Sequence, residues 1–310
     1  DLVGVTSANP FHEGQRVVLE RLEQGLMGQI PWYTEARVRR GCNPEALLPG
    51  SRSIISVAVS YWATPPIEEG EQYSAVSSID SGYAPRVPLR GRVARYAWGR
   101  DYHNLLKARL KELVCRLERE LGTFHYKWYV DDGPMLDREV AWRAGVGFFG
   151  KNTNILTQIG SWVFLGQVLT DLELEPDRSS TKSCGACTAC MPSCPTGAIV
   201  APYVLDSNRC ISYLTIENRG PIPRELRPLV GDWVYGCDIC QEVCPWNITF
   251  SQLSSEKKFQ PRDNLKERPI SKWKKLNKED FQILFKKSAV KRTKFIGLKR
   301  NIDLVSKNNS

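Results

Sequence analysis

Apolar positions along the first 170 residues fall into two periodicities. Residues 52–62, Arg-Ser-Ile-Ile-Ser-Val-Ala-Val-Ser-Tyr-Trp, form a short apolar run rich in β-branched residues and predict a buried strand. From Tyr102 onward, Leu105, Leu106, Leu110, Leu113, Val114, Leu117 and Leu121 recur at helical spacing, with Asp101 placed as an N-cap, so a helix is expected to run to about Leu121. A strand is expected at about 124–130, ending in the turn signal Asp131-Asp132-Gly133-Pro134. A helix from about Met135 to Ala144, the stretch Gly145-Val-Gly147-Phe-Phe-Gly150, and a strand over 161–170 follow. Alternating strands and helices indicate an α+β chain opening with an α/β-type domain. A polar linker at 173–183 leads into a second unit, and beyond it helical patterning is weak, as at Phe281, Leu284 and Phe285. The expected division is 1–175, 176–250 and 251–310.

Composition narrows the picture. The chain has 310 residues, 42% apolar and 25% charged, enough for a core without staples and incompatible with wholesale disorder. No apolar run approaches the roughly 18 residues of a membrane span, and no secretory signal is visible at the start. The sequence opens at Asp1 without Met, so a few residues are expected to be missing there. The net charge of +9 is uneven: residues 256–310 hold 17 Lys and Arg against 6 Asp and Glu, leaving the rest slightly acidic. Such a block usually addresses a polyanion, nucleic acid or an anionic surface, although a solvated helical face would look the same.

Eight of the ten cysteines lie between Cys184 and Cys244. The first group is Cys184-x2-Cys187-x2-Cys190-x3-Cys194-Pro195, the two-cluster ferredoxin spacing, in which the fourth thiolate crosses to the other cluster. The second is Cys210, then Cys237-x2-Cys240-x3-Cys244-Pro245. The expected assignment is therefore crossed. Cys184, Cys187, Cys190 and Cys244 hold one [4Fe–4S] cluster, and Cys194, Cys210, Cys237 and Cys240 hold the other. Structural zinc favours separated pairs and fits this spacing less well. Clusters need a reducing compartment, which points to the cytoplasm. Cys42 and Cys115 stand apart and read as plain residues, buried thiols being the common outcome.

Clusters in series carry electrons and need an acceptor, expected in the first domain. Asp131 stands at a strand end before a second Asp, Gly and Pro, a rigid position for a general acid; turn formation alone would also explain both aspartates. Its like-charged neighbour Asp132 would favour the protonated form. Gly145, Gly147 and Gly150 have dinucleotide-loop spacing, but they follow a helix, so that reading is weak. Residues 95–103 mix cationic and aromatic side chains that could grip a phosphate or a planar cofactor, or simply anchor a loop.

Longer strings carry a family likeness. Val130-Asp131-Asp132-Gly133-Pro134, then Ala144 through Thr153, Gly160-Ser161-Trp162, Cys210-Ile-Ser212-Tyr213 through Glu217, Gly220 through Pro223, Tyr235 through Asn247, and Ser288 through Arg292 resemble the cobalamin-dependent tRNA epoxyqueuosine reductases. The resemblance covers essentially the whole chain. It implies removal of the epoxide oxygen of epoxyqueuosine in tRNA to give queuosine, using two [4Fe–4S] clusters and base-off cobalamin, with Asp131 as proton donor. The family usually has Thr where this chain has Asp132. Some members carry a helical-repeat domain after the region matched here, and this sequence stops before one, so the grip on tRNA is expected from the basic tail and the rim of the first domain. Lys291, Arg292, Lys299 and Arg300 are the candidates for nucleic-acid contact. Arg95, Tyr96, Asp131, Asn154, Ser212 and Asp238 are the candidates for cobalamin contact, and no spacing rule fixes them. An external electron donor, no membrane and a monomer complete the reading. The rivals are a corrinoid iron–sulfur reductase of the reductive dehalogenase kind, against which the basic tail argues, and a non-catalytic electron-transfer module, which would need no cobalt.

Overall fold

A computed structural model describes residues 1–63, 90–262, 265 and 268–308. In chain order the first half comprises β1 (Leu2–Ser7), α1 (His12–Glu23), α2 (Glu35–Gly41), α3 (Pro44–Leu47), β2 (Ser53–Ser60), β3 (Arg92–Val93), α4 (Tyr102–Leu121), β4 (Tyr126–Tyr129), α5 (Asp137–Arg143), β5 (Gly147–Phe149), β6 (Ile155–Thr157) and β7 (Val163–Thr170). The apolar periodicities find their elements in β2, α4, β4, α5 and β7. Asp101 caps α4, its side chain accepting from the His103 amide at 3.1 Å. The strand Leu2–Ser7 and the helices before β2 lie outside what the periodicity predicts.

The main sheet has the order β1–β2–β7–β4. Its three pairings are all antiparallel, with Ser53 opposite Thr170 and Ser60 opposite Val163 at the two ends of the β2–β7 ladder. This corrects the α/β-type expectation. Strands and helices alternate along the sequence, but the connections return to neighbours running the other way. Alternation alone does not distinguish a crossover from such a return. Both faces of the sheet are covered. Leu106, Leu110 and Val114 of α4 pack with Ile55 and Val168 on one face. Phe11, Val38 and Val140 pack with Ile54 and Leu169 on the other. A strand buried on both sides reads as a continuous apolar run, which is why β2 does not alternate. Each fully buried leucine here contributes roughly 1.5–3 kcal/mol. Cys42 is buried as expected, whereas Cys115 is exposed on the outer side of α4.

The second half comprises β8 (Ile199–Ala201), β9 (Val204–Leu205), α6 (Ile211–Ile216), β10 (Trp233–Tyr235), α7 (Ile239–Glu242), α8 (Pro245–Phe250), α9 (Ile270–Lys274), α10 (Lys278–Leu284) and α11 (Lys294–Lys307). Strand β10 pairs in parallel with β3. The apolar residues of the basic tail close a core with both: Trp273, Phe281, Phe285, Leu298 and Ile302 pack with Val93, Val234 and Tyr235. The Asn301 amide donates to the carbonyls of Thr215 at 2.8 Å and Val234 at 2.9 Å. Charge therefore lies on the outer face of helices whose inner faces are core. Among the described residues no helix is long and apolar enough to cross a membrane.

Candidate active site and cluster loops

Asp131 follows β4 with a backbone φ of 56°, in the left-handed region. Asp tolerates this better than most residues, yet such conformations persist mainly where surrounding contacts enforce them. The contacts are visible. Asp132 folds back so that its Oδ1 accepts from the Val130 amide at 3.1 Å. Arg37 of α2 donates to the Gly133 carbonyl at 2.6 Å. A Cβ at Gly133 would lie 2.1 Å from the Tyr129 ring, so only glycine fits. The turn presents an exposed Asp131, and its Oδ2 accepts from the Tyr102 hydroxyl at 2.5 Å. Tyr102 is held by stacking on Phe164, with centroids 4.1 Å apart. Burial and the negative charge of Asp131 raise its phenol well above the ordinary value, so it is a lasting donor.

Asp132 has its own counter-ion in Lys107. Burial alone would raise it, but the Lys107 ammonium and the Val130 amide hold it below the usual carboxylate range. Its charge is therefore balanced locally. A third carboxylate, Asp137 at the start of α5, is pushed up to about 8 by burial and then by Asp131 and Asp132. Its Oδ1 is buried without a hydrogen-bond partner, as is Oε1 of Gln167 on β7. The Gln167 amide instead donates to the Asp137 carbonyl at 3.3 Å.

The residues put forward as cobalamin contacts fall into two groups. Arg95 and Asp238 are both buried. The Arg95 amide donates to Asp238 Oδ2 at 2.8 Å, and its guanidinium reaches Glu242 Oε1 at 3.1 Å beneath the Trp62, Trp98 and Trp162 rings. Burial pushes Asp238 up to about 7 despite Arg95. Tyr96 donates to the Tyr235 hydroxyl at 2.9 Å, which donates to the Ala289 carbonyl at 2.7 Å. Arg95 and Asp238 are thus internal, whereas Tyr96 is half-buried and lies edge-on to Tyr102, with centroids 6.3 Å apart. Asn154 and Ser212 are half-buried. Trp32 was not singled out by sequence, yet it is an exposed aromatic with the Arg292 guanidinium 4.6 Å above its ring. Burial works against the Arg292 charge, but its bond to Glu217 at 2.8 Å and, less, the charge of Asp131 raise it overall. A lone tryptophan in an irregular segment carries no periodicity that would have flagged it.

The thiols form two adjoining neighbourhoods that meet at Cys240. Cys190 is raised by burial and then by Cys184, Cys244 and Cys187. Cys237 is raised by burial, then by Cys240 and, through a smaller contribution, Cys210. Cys240 is raised by burial, then by Cys210, with lesser contributions from Cys190 and Cys194. Cys187 is exposed, whereas Cys237 packs against the apolar cluster around Leu214 and Trp233. Among the described residues no three side chains converge tightly enough for a single metal ion. A cubane spreads its four thiolates over a larger body. Local geometry suits it: Cys194 accepts from the Ala198 amide at 3.3 Å, and Cys210 and Cys244 stand at the N-termini of α6 and α8, whose amides face an anionic centre.

The glycines 145, 147 and 150 form no dinucleotide loop. A Cβ at Gly145 would meet the Arg178 carbonyl at 2.5 Å, and Gly147 opens the β5–β6 hairpin. In the tail, Arg300 braces backbone, donating to the carbonyls of Leu214 at 2.6 Å, Asn218 at 2.8 Å and Gly220 at 2.5 Å. Lys299 reaches the Lys274 carbonyl at 3.1 Å, and Lys291 is exposed.

Known proteins share this arrangement. Residues 183–247 match the profile of a 4Fe–4S double cluster binding domain, and residues 41–132 match that of epoxyqueuosine reductase QueG, DUF1730. An epoxyqueuosine reductase of Cellulophaga algicola is 38% identical over 97% of this chain and 92% of its own length. That of Escherichia coli is 39% identical over 97% of this chain and 75% of its own. A crystal structure of epoxyqueuosine reductase with a tRNA-Tyr epoxyqueuosine-modified tRNA stem loop superposes with a TM-score of 0.86 and 30% identity, over 98% of this chain and 76% of that one. With identity of this order over nearly its whole length, the chain belongs to the epoxyqueuosine reductase family.

Proposed function

We propose that the chain removes the epoxide oxygen of epoxyqueuosine in tRNA, consuming two electrons and two protons and releasing the cyclopentene of queuosine and water. The observation that carries this reading is an exposed acid on an enforced left-handed turn, in a chain that places eight cysteines between Cys184 and Cys244 at double-cluster spacing. Cys184, Cys187, Cys190 and Cys244 would hold one [4Fe–4S] cluster, and Cys194, Cys210, Cys237 and Cys240 the other. Asp131, the exposed Trp32 and Arg292 fit the edge of a large planar group, with Asn154 and Ser212 as further polar contacts. When bound, the clusters would supply electrons singly and base-off cobalamin would supply a strongly reducing cobalt centre.

The remaining chemistry belongs to the chain. The Tyr102 hydroxyl occupies Oδ2 of Asp131, so proton delivery to the departing oxygen falls to Oδ1. Arg95 and Asp238 act behind the site, tying the residue after Cys237 to the segment that carries Tyr96. A modified base must leave the anticodon stack to reach the acid, and Trp32 offers a surface for a displaced base. Lys291 and Arg292 would hold phosphate, while Lys299 and Arg300 are engaged with backbone. Family, charge and clusters together suggest a cytoplasmic protein fed by an external electron donor.

The test is anaerobic incubation of the reconstituted protein with cobalamin, a reductant and tRNA carrying epoxyqueuosine, followed by mass spectrometry of the digested nucleosides. Cobalamin-dependent loss of one oxygen is expected. Asp131→Asn should abolish it while leaving the cluster spectra unchanged. Full turnover in that variant would remove Asp131 from the mechanism.

A further inference from the structure

The two thiol sets differ in their distance from solvent. Cys187 is exposed, and the loop around it is open: Gly185, Ala186 and Thr188 are exposed as well. The other set adjoins the inside of the molecule, through Asp238 to Arg95 and Tyr96. Electrons moving toward Asp131 therefore have their shortest way in at the Cys187 loop.

That loop has an unusual rim. No acidic residue occurs between Asp177 and Asp206, while Arg178 and Lys182 in that stretch are both exposed. No charged residue of either sign occurs between Glu242 and Glu256, the segment that contains Cys244. It exposes Ile248 at 75%, Leu253 at 62% and Phe250 at 41%. The two segments meet in space. The Lys182 ammonium lies 5.4 Å from the Trp246 ring, and Trp246 packs on Phe250 with centroids 4.5 Å apart. Lys151 joins from the first half, donating to the Gly185 carbonyl at 2.7 Å. Beside Trp246 a cleft of about 330 Å³ opens between Leu2, Gly145 and the 179–182 backbone. The nearby carboxylates Asp177 and Asp1 are engaged, accepting from the Val5 amide at 2.8 Å and the Ser60 amide at 2.7 Å, and an apolar centre with a cationic border is the complement of an acidic surface. Electron-transfer encounters use small, transient interfaces steered by opposite charge.

We propose that this face, formed by Arg178, Lys182, Lys151 and the exposed apolar residues of α8 and the segment after it, docks a small acidic electron-transfer protein that reduces the cluster at the Cys187 loop. The inference rests on the cluster reading above. Its test separates the two. The anaerobically reconstituted protein, its iron content and cluster spectrum verified, is mixed in a stopped-flow instrument with a reduced acidic ferredoxin, and bleaching of its cluster absorbance is followed.

In the double variant Arg178→Glu/Lys182→Glu, reduction by the ferredoxin should slow about tenfold or more at low salt and approach wild type at high salt. Lys182→Arg should retain the rate, and Ile248→Asp should slow it at all salt concentrations. Reduction by dithionite should be unchanged in every variant. Independently, zero-length carbodiimide coupling should join carboxylates of the ferredoxin to Lys182 or Lys151. Unaltered ferredoxin rates with intact clusters would overturn the docking face alone, as would equal slowing with dithionite or cross-links confined to the basic tail. Weakened tRNA binding with unchanged ferredoxin rates would assign the face to RNA and overturn the proposal. Absence of clusters from the reconstituted protein would overturn the reading on which it stands.

Discussion

At Asp131 a single side chain is positioned by four others that never need to touch substrate. Tyr102 holds one carboxylate oxygen, Asp132 and Arg37 fix the turn, and Lys107 balances the neighbouring charge. Removing the Tyr102 hydroxyl tests this division of labour. A hydrogen bond to a charged group contributes about 1.5–3 kcal/mol, so Tyr102→Phe should cost a factor of roughly 10–150 in turnover, with cluster spectra and tRNA affinity unchanged. Loss of affinity instead would make Tyr102 a substrate contact. Asp137 gives the residue scale its pH dependence. The folded protein holds this proton up to a pKa of about 8, above the ordinary carboxylate value of 3.8. The folded state then binds the proton more tightly than the unfolded chain. Its contribution is fully present below about pH 4 and is lost as pH rises toward 8. Asp137→Asn should flatten the fall of Tm across that window and leave the variant the more stable form in alkali. Parallel Tm curves for the two proteins would show that the carboxyl ionises freely. The turn at 131 was legible in the sequence because a strand end, Gly133 and Pro134 mark it, whereas the acid role proposed for Asp131 came from the family likeness. Asp137 was not legible, since its burial depends on a sheet formed from distant strands.

Elements were legible where their periodicity was long. The α4 pattern locates that helix and its cap, because several turns of leucine spacing admit no other structure. Leu110→Ala should cost about 2–5 kcal/mol, read from chemical denaturation, since its side chain is fully buried between α4 and the sheet. A loss under 1 kcal/mol would mean that the helix packs elsewhere. Pairing direction was not legible, because β1, β2, β4 and β7 carry no sequence signal for which way a neighbour runs. The glycines at 145, 147 and 150 show the same limit. Their spacing suits a phosphate loop, but the preceding helix and following hairpin direct Gly145 against the linker and Gly147 and Gly150 against Leu156. The tail's core was hidden as well, because its apolar residues are shared among three helices too short to show a period.

For the whole molecule, the basic block separates into outward charge and inward braces. Lys291→Gln with Arg292→Gln should weaken tRNA binding and lessen the slope of log affinity against log salt by up to about 2, as two lost phosphate contacts require. Equal slopes would leave the tail a purely structural element. The sequence could count these charges but not sort them. Arg300 ends on backbone carbonyls, whereas Arg292 stands exposed beside Glu217 and Trp32. The cysteine spacing, by contrast, made the double-cluster domain legible, and residues 183–247 match such a domain. One feature of the tail reaches further, into the order of events during synthesis. Asn301 holds the carbonyls of Thr215 and Val234, and Arg300 holds that of Leu214, so residues near the end of the sequence secure the segments that follow Cys210 and precede Cys237. All eight cysteines leave the ribosome before those braces exist. The inner thiol set is therefore open to solvent until the tail folds onto it, so any cluster it holds would become shielded only late in maturation.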